Sequence, residues 1–118
     1  MEINIGVVIV TWNNEKDIAE CLSSLMNQTL KASKIVLVDN NSSDRTVEIV
    51  RAQFPQVEII SQDKNYLLTK SNNKGIRYLL DHLYPEFLLV LNPDTVLEKD
   101  LVQKLFNVIS KDSQIVAV

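Results

Sequence analysis

Five short apolar runs punctuate the chain: IGVVIV at 5–10, KIVLVD at 34–39, VEIIS at 57–61, FLLVLN at 87–92 and IVAV at 115–118. Most are rich in β-branched residues and nearly unbroken in hydrophobicity, as strands covered on both faces should be. Between them apolar positions recur at helical spacing. Ile18, Cys21, Leu22, Leu25 and Met26 mark a first helix and Val47, Val50 and Phe54 a second. Ile76, Leu79, Leu80 and Leu83 mark a third, and Leu101, Leu105, Val108 and Ile109 a fourth. Asn14 is expected to N-cap the first helix, and NSSD at 41–44 to open the second. The order β-α-β-α-β-α-β-α-β predicts an α/β fold, with a mostly parallel sheet, helices on both faces and right-handed crossovers.

At 118 residues the chain has the size of one domain, with no repeat, low-complexity tract or linker. Its last apolar run reaches the final residue with no room for a turn, so the expectation is a piece of something longer. A hydrophobic content of 46% against 23% charged residues supplies a core. Twelve basic and fifteen acidic residues give a net charge of -3 with no basic block, which disfavours nucleic-acid binding, since phosphate contacts dominate that affinity. A small anionic ligand held with a metal stays open. The single cysteine, Cys21, cannot form an internal disulfide, fits a reducing compartment and reads as a core residue. The N-terminal MEINIGVVIVTW places an acidic residue before its apolar run, unlike a signal peptide, and no run approaches the roughly 20 residues of a spanning helix. The simplest expected location is the cytoplasm.

Candidate chemistry gathers where strands end. Ligands of open parallel sheets bind outside the carboxyl ends of the strands, near the point where strand order reverses. After the first strand come Thr11, Trp12, Asn13 and Asn14; after the second, Asp39 through Asp44, reading DNNSSD. Asp63, Lys64 and Asn65 follow the third strand, and Asn92, Pro93, Asp94 and Thr95 the fourth. Each cluster alone reads as turn or cap chemistry; together they converge on one sheet edge. Gly6 and Gly75, the two glycines, belong to neither GxGxxG nor GxxxxGK[ST], so a dinucleotide fold or a P-loop fits poorly. A phosphoacceptor receiver would need acids where TWNN stands, and His82, the sole histidine, reads as a surface or packing residue rather than part of a triad.

Four blocks, VVIVTWNNEKDIAECLSSLMNQT, KIVLVDNNSSDRTVEIV, KNYLLTKSNNKGI and LLVLNPDTVL, together resemble the N-terminal half of a family 2 glycosyltransferase, in its rhamnosyltransferase-like branch. The resemblance runs from Ile5 to Val118 and is most specific in VDNNSSD and LNPDT at their relative spacing. It implies the GT-A fold, a Rossmann-like three-layer α/β/α arrangement, and transfer of a sugar from a nucleotide diphosphate donor, UDP- or dTDP-linked. By position it implies that Thr11, Trp12 and Asn13 border the nucleotide base, that Asp39 accepts a base N–H, and that Asn72 belongs to the nucleotide-binding set. Asn92-Pro93-Asp94 falls on the family's DxD motif, with Asp94 as metal ligand and Asn92 nearer the ribose. Chemistry agrees: a carboxylate is a charge-assisted acceptor for a pyrimidine imide N–H, and Mn²⁺ or Mg²⁺ on an aspartate oxygen neutralises a diphosphate leaving group.

Two departures qualify the resemblance. The loop pattern N-x-G-F-A-x-G-N-N-x-G is met by Asn65 to Gly75 with Leu67 and Ser71 where glycines are expected. The acceptor-binding half, which carries the catalytic base, is expected outside these 118 residues, so 1–118 is read as one donor-binding domain. Glu98 and Asp100 read as first-turn acids of the fourth helix. Two function classes follow: the donor-binding part of an inverting transferase that builds polysaccharide or glycoconjugate on a sugar or lipid-linked acceptor, or a degenerate GT-A domain acting in nucleotide binding or assembly. A homo-oligomer is compatible with the free sheet edge, and the parent protein would be cytoplasmic or peripheral at the inner membrane face.

Overall fold

The computed structural model describes residues 3–112; the run at 115–118, expected as a fifth strand, lies outside them. Strands and helices alternate as β1 (Ile5–Thr11), α1 (Ile18–Met26), β2 (Lys34–Asp39), α2 (Thr46–Gln53), β3 (Glu58–Ser61), α3 (Leu68–His82), β4 (Phe87–Leu91) and α4 (Leu101–Lys111). All pairings are parallel, in the order β3-β2-β1-β4. The chain winds outward from β1 through β2 to β3, then returns across β1 to lay down β4. Strand order therefore reverses between β1 and β4, which is where such sheets open a ligand crevice.

The two-residue period of the strands sorts their side chains into two cores. Val7, Ile9 and Leu37 face α1, α2 and α4, packing with Ile18, Cys21, Leu22, Leu25, Val50 and Val102. Val8, Val10, Val36 and Val38 face the opposite way and meet Leu79 of α3, flanked by Ile76, Tyr78 and Leu83. This is the three-layer arrangement that the alternating pattern predicts. Every residue of β1 is buried, as unbroken hydrophobicity implies for a central strand. β4 differs: Phe87 and Leu89 pack into the first core while Leu88 and Val90 are exposed. Among the described residues its other face carries no helix, because α3 sits over β1 and β2.

Three local expectations change. Asn14 does not cap α1 through its side chain; its Oδ1 accepts the Trp12 N–H at 2.8 Å, and the helix begins at Ile18 after a turn held by the Asn14 carbonyl. Glu98 and Asp100 precede α4 rather than sit in its first turn, and Asp100 pairs with Lys104 at 3.3 Å. α3 starts eight residues before its first expected apolar position, so Ser71, Asn72, Asn73 and Gly75 are helical rather than loop. Gly75 is required by contact. A Cβ there would stand 2.6 Å from Val8 Cγ1 and 3.2 Å from Val38 Cγ2, both on stiff β-branched side chains.

Gly75→Ala tests that contact. Ala is intrinsically better than Gly in a helix by about 1 kcal/mol, whereas overpacking a rigid core costs about 1–3 kcal/mol. The substitution is expected to lower the urea midpoint; a raised midpoint would show that α3 can stand away from the sheet.

Candidate functional site

β1 and β2 end side by side at the paired residues Thr11 and Asp39. Asp39 is only 2% exposed, and three donors converge on its carboxylate. The Thr11 hydroxyl donates to Oδ1 at 2.7 Å, the Ser42 hydroxyl donates to the same oxygen at 2.6 Å, and the Ser42 N–H donates to Oδ2 at 2.9 Å. Oδ1 thus accepts two bonds and Oδ2 one, leaving Oδ2 the oxygen with acceptor capacity to spare.

The polar residues that follow form the links between the two strand ends. Asn13 adopts φ 54° and Asn41 φ 62°, left-handed conformations that asparagine tolerates better than most residues. In that geometry the Asn13 N–H donates to Ser42 Oγ at 2.8 Å, and Asn13 Oδ1 accepts the Ser43 N–H at 2.8 Å. The Asn14 N–H donates to Thr46 Oγ1 at 2.8 Å and the Glu15 N–H to Asp44 Oδ2 at 3.1 Å. Partial burial, the largest single influence, pushes the Asp44 carboxyl up, but hydrogen bonds from the Thr46 hydroxyl and N–H and from the Glu15 N–H together hold it below its usual value. TWNNE and DNNSSD are therefore one cross-linked unit. Above it Trp12 stands 52% exposed, its ring available to a planar ligand.

A second network ties β2 to α3. The buried Asn40 accepts, on Oδ1, the Gln62 amide at 2.7 Å and the Ser71 hydroxyl at 2.8 Å, while its own amide donates to the Tyr66 carbonyl at 3.2 Å. The Gln62 amide also donates to Ser71 Oγ at 2.9 Å. Ser71 therefore has a structural reason to stand where the family pattern has glycine: its hydroxyl completes a buried polar set. Leu67 needs no glycine either, since its φ of -63° is open to any residue.

On the other side of β1, Asn92 and Asp94 are exposed in the turn after β4, closed by a Thr95 N–H bond to the Asn92 carbonyl at 3.2 Å. Beneath the turn the buried Cys21 thiol donates to that carbonyl at 3.7 Å. Burial pushes Cys21 up to about 11; a hydrogen bond from Thr95 lowers it, and the charges of Asp94 and Asp17 raise it further. The segment after the turn is clamped from α1 and its C-terminal end. Ser24 Oγ accepts the Leu97 N–H at 3.0 Å, and buried Gln28 donates to the Glu98 carbonyl at 2.6 Å while accepting the first-turn N–H of Val102 at 3.0 Å.

The structure thus joins Thr11, Trp12, Asn13 and Asp39 into one bonded group, and sets Asn92 and Asp94 after β4, the neighbour of β1 on its other side. Asn72 lies half-buried in α3 next to Ser71, without a bond to the Asp39 group. Gln62, Ser24 and Gln28 escape sequence reading, since isolated polar residues carry no periodic signal, and the buried partners of Asn40 and Ser71 are equally invisible there. As for a divalent ion, Asp94 offers one exposed hard-oxygen donor, and among the described residues no group of three His, Cys, Asp or Glu side chains gathers to hold one. The donor set fits a cation shared with an oxygen-rich ligand, not one caged by protein alone. No helix among the described residues is long and apolar enough to cross a membrane.

The Cys21 environment gives a chemical check. A rise from 9.0 to about 11 leaves about a hundredfold less thiolate at mildly alkaline pH. Iodoacetamide is expected to label the native chain at least about a hundredfold more slowly than the urea-unfolded chain, by mass spectrometry. Between pH 9.0 and about 11 the unfolded thiol ionises and the folded one does not, so the stability of the buried neutral thiol is present below pH 9.0 and lost as pH rises towards about 11. Equal labelling rates would show that the thiol is open beneath the Asn92 turn.

Residues 6–118 match the family described as Glycosyl transferase family 2. A low-salt glycan biosynthesis hexosyltransferase of Haloferax volcanii is 30% identical over 105 residues, covering 89% of this chain and 32% of its own length. A chondroitin synthase of Escherichia coli is 28% identical over 117 residues, covering 97% of this chain and 16% of its own. The crystal structure of S. aureus TarS 1-349 in complex with UDP-GlcNAc superposes with a TM-score of 0.77 at 25% identity, covering 92% of this chain and 32% of that one. A 4-diphosphocytidyl-2C-methyl-D-erythritol synthase, at 13% identity and a TM-score of 0.76, shares the fold. The chain spans about a third of the hexosyltransferase and of the 1-349 portion of the S. aureus protein. The match over residues 6–118, on a parallel α/β sheet of the same fold, makes this chain a member of glycosyl transferase family 2.

Proposed function

We propose that this chain is the donor-binding part of an inverting glycosyltransferase that uses a pyrimidine nucleotide-diphosphate sugar, UDP- or dTDP-linked. The observation that carries the reading is the Asp39 carboxylate, fixed by Thr11 and Ser42 with spare acceptor capacity on Oδ2. A pyrimidine imide N–H suits that oxygen, and a charge-assisted bond of this kind is roughly twice as strong as a neutral one. Trp12 offers the base a face; Thr11 and Asn13 border it, Asn92 lies toward the ribose and Asn72 toward the rest of the nucleotide.

Asp94 would hold Mn²⁺ or Mg²⁺ jointly with the donor's diphosphate. A bound cation of this type neutralises the charge that develops on the departing diphosphate. The acceptor would be a sugar or a lipid-linked acceptor, and the product a polysaccharide or glycoconjugate. The hexosyltransferase and synthase names of the relatives and the UDP-GlcNAc bound by the S. aureus protein support this class. The parent protein would act in the cytoplasm or at the inner membrane face. A second reading, nucleotide binding without transfer, is favoured by the lone carboxylate of Asn92-Pro93-Asp94.

Calorimetric titration with UDP, dTDP and, as a control, GDP, each with and without Mn²⁺, tests the donor reading. Asp39→Asn is the informative variant, since alanine would also orphan the buried Thr11 hydroxyl. It is expected to weaken UDP binding by at least about tenfold, corresponding to one charge-assisted bond of about 1.5–3 kcal/mol. Asp94→Ala is expected to abolish the Mn²⁺ dependence and leave the metal-free affinity unchanged. Absence of binding by either pyrimidine diphosphate overturns the assignment.

A further inference from the structure

A cationic surface lies on the β3 side of the molecule, along the outer side of α3. Gln62, Tyr66, Lys70, Asn73, Lys74 and Arg77 line a cleft of about 470 Å³. Lys70, Lys74 and Arg77 follow one another at helical spacing on the outer side of α3, opposite the buried Ser71, Gly75 and Leu79. The Lys64 and Lys70 ammonium groups lie 5.0 and 4.5 Å from the centre of the Tyr66 ring. Neither ion pair found among the described residues involves any of these four cations. Two acids border the patch: Asp63, which accepts the Tyr66 hydroxyl at 2.7 Å, and Asp81, one turn beyond Arg77.

Helix stability in water does not explain this surface. Leu67 occupies the N-cap position, where Ser, Thr, Asp or Asn would bond a free N–H, and makes no side-chain cap. It is 80% exposed and Leu68 57% exposed. The first turn of α3 carries no acid and holds a cation, Lys70, at the end where the helix dipole is positive. Each of these features is unfavourable in water, and each becomes favourable against a boundary that is anionic outside and apolar beneath.

We propose that this end of α3 docks the chain onto an anionic phospholipid surface, with Lys64, Lys70, Lys74 and Arg77 meeting headgroup phosphates while Leu67 and Leu68 enter the headgroup–acyl boundary. Tyr66, an amphipathic ring among the cations, suits the same depth. A soluble phosphate fits less well. The row from residue 70 to 77 runs about 10 Å, longer than one phosphate, and a dissolved anion gives the exposed leucines no role. The start of α3 lies at the carboxyl edge of the sheet, tied to β2 through Asn40, so docking would bring the nucleotide edge close to a lipid-linked acceptor.

Cosedimentation with phosphatidylcholine vesicles, with and without phosphatidylglycerol, tests the proposal. The chain is expected to bind the anionic vesicles at least about tenfold more tightly, and to release as salt rises from about 0.05 M to about 0.3 M. The triple variant Lys70→Glu, Lys74→Glu, Arg77→Glu is expected to lose at least about tenfold in binding. Leu67→Ser with Leu68→Ser should weaken binding even at low salt, while Lys104→Glu with Lys111→Glu on α4 should not change it. Circular dichroism checks that the variants fold, and the salt response of the unaltered chain stands without them. Equal binding to both vesicle types, or equal loss in the α4 control, overturns the proposal. So does pyrophosphate binding that the triple variant loses without any vesicle binding, which would assign the cleft to a soluble ligand. UDP affinity, measured on the same variants, is expected to be unchanged; vesicle failure with intact UDP binding would sink this proposal alone.

Discussion

Two parallel strands that end together leave their loops free to diverge, and the Asp39 carboxylate holds these two in register. It receives the Thr11 hydroxyl from β1 and both the N–H and hydroxyl of Ser42 from its own loop. Such bonds to a buried charge contribute about 1.5–3 kcal/mol each, enough to fix loop positions that backbone propensity alone would not. The left-handed Asn41 belongs to that closure, since the chain turns sharply to bring Ser42 back over Asp39, and the left-handed Asn13 directs its own N–H to Ser42 Oγ. The same atoms that stabilise the fold here also present the spare acceptor, so scaffold and site are one construction.

The remaining polar contacts extend that arrangement to both sides. Asn40, Gln62 and Ser71 lock the start of α3 to the end of β2, and Ser24 and Gln28 of the α1 region hold the segment after Asp94. Among the described residues every buried side-chain nitrogen and oxygen finds a partner, as a low-dielectric interior demands. A glycine-poor loop is workable for this reason. Ser71 replaces flexibility with hydrogen bonds, and close helix-to-sheet approach is left to the glycines, Gly75 above Val8 and Gly6 beneath Leu79.

The strands and the sheet edge were legible because their signal is collective. Runs such as VVIV and IVLV admit one reading in a parallel sheet, and the polar residues after each strand had to meet at one edge once that sheet was inferred. That convergence places Thr11, Trp12, Asn13 and Asp39 at the same edge, where the structure links them by hydrogen bonds. What stayed hidden depends on single side chains meeting across distant sequence. Nothing in the sequence distinguishes Gln28 from a surface glutamine, although it spans 70 residues to reach the Glu98 carbonyl. Asn14 misled for the same reason: its cap chemistry is real, but the donor it serves is the N–H of Trp12 in the preceding loop. β4 read as a strand covered on both faces because apolar content reports capacity for burial, not the presence of a covering helix.

Nucleotide binding is proposed at the edge where β1 and β2 end, with the turn after β4 contributing from the other side of β1. Amide chemical-shift mapping of the 118-residue chain during addition of UDP addresses this directly. The account predicts shifts concentrated at Thr11, Trp12, Asn13, Asp39 and Ser42, spreading to Asn92 and Asp94 when Mn²⁺ is present. Shifts confined to another face, with the Asp39 loop unmoved at saturation, would contradict it.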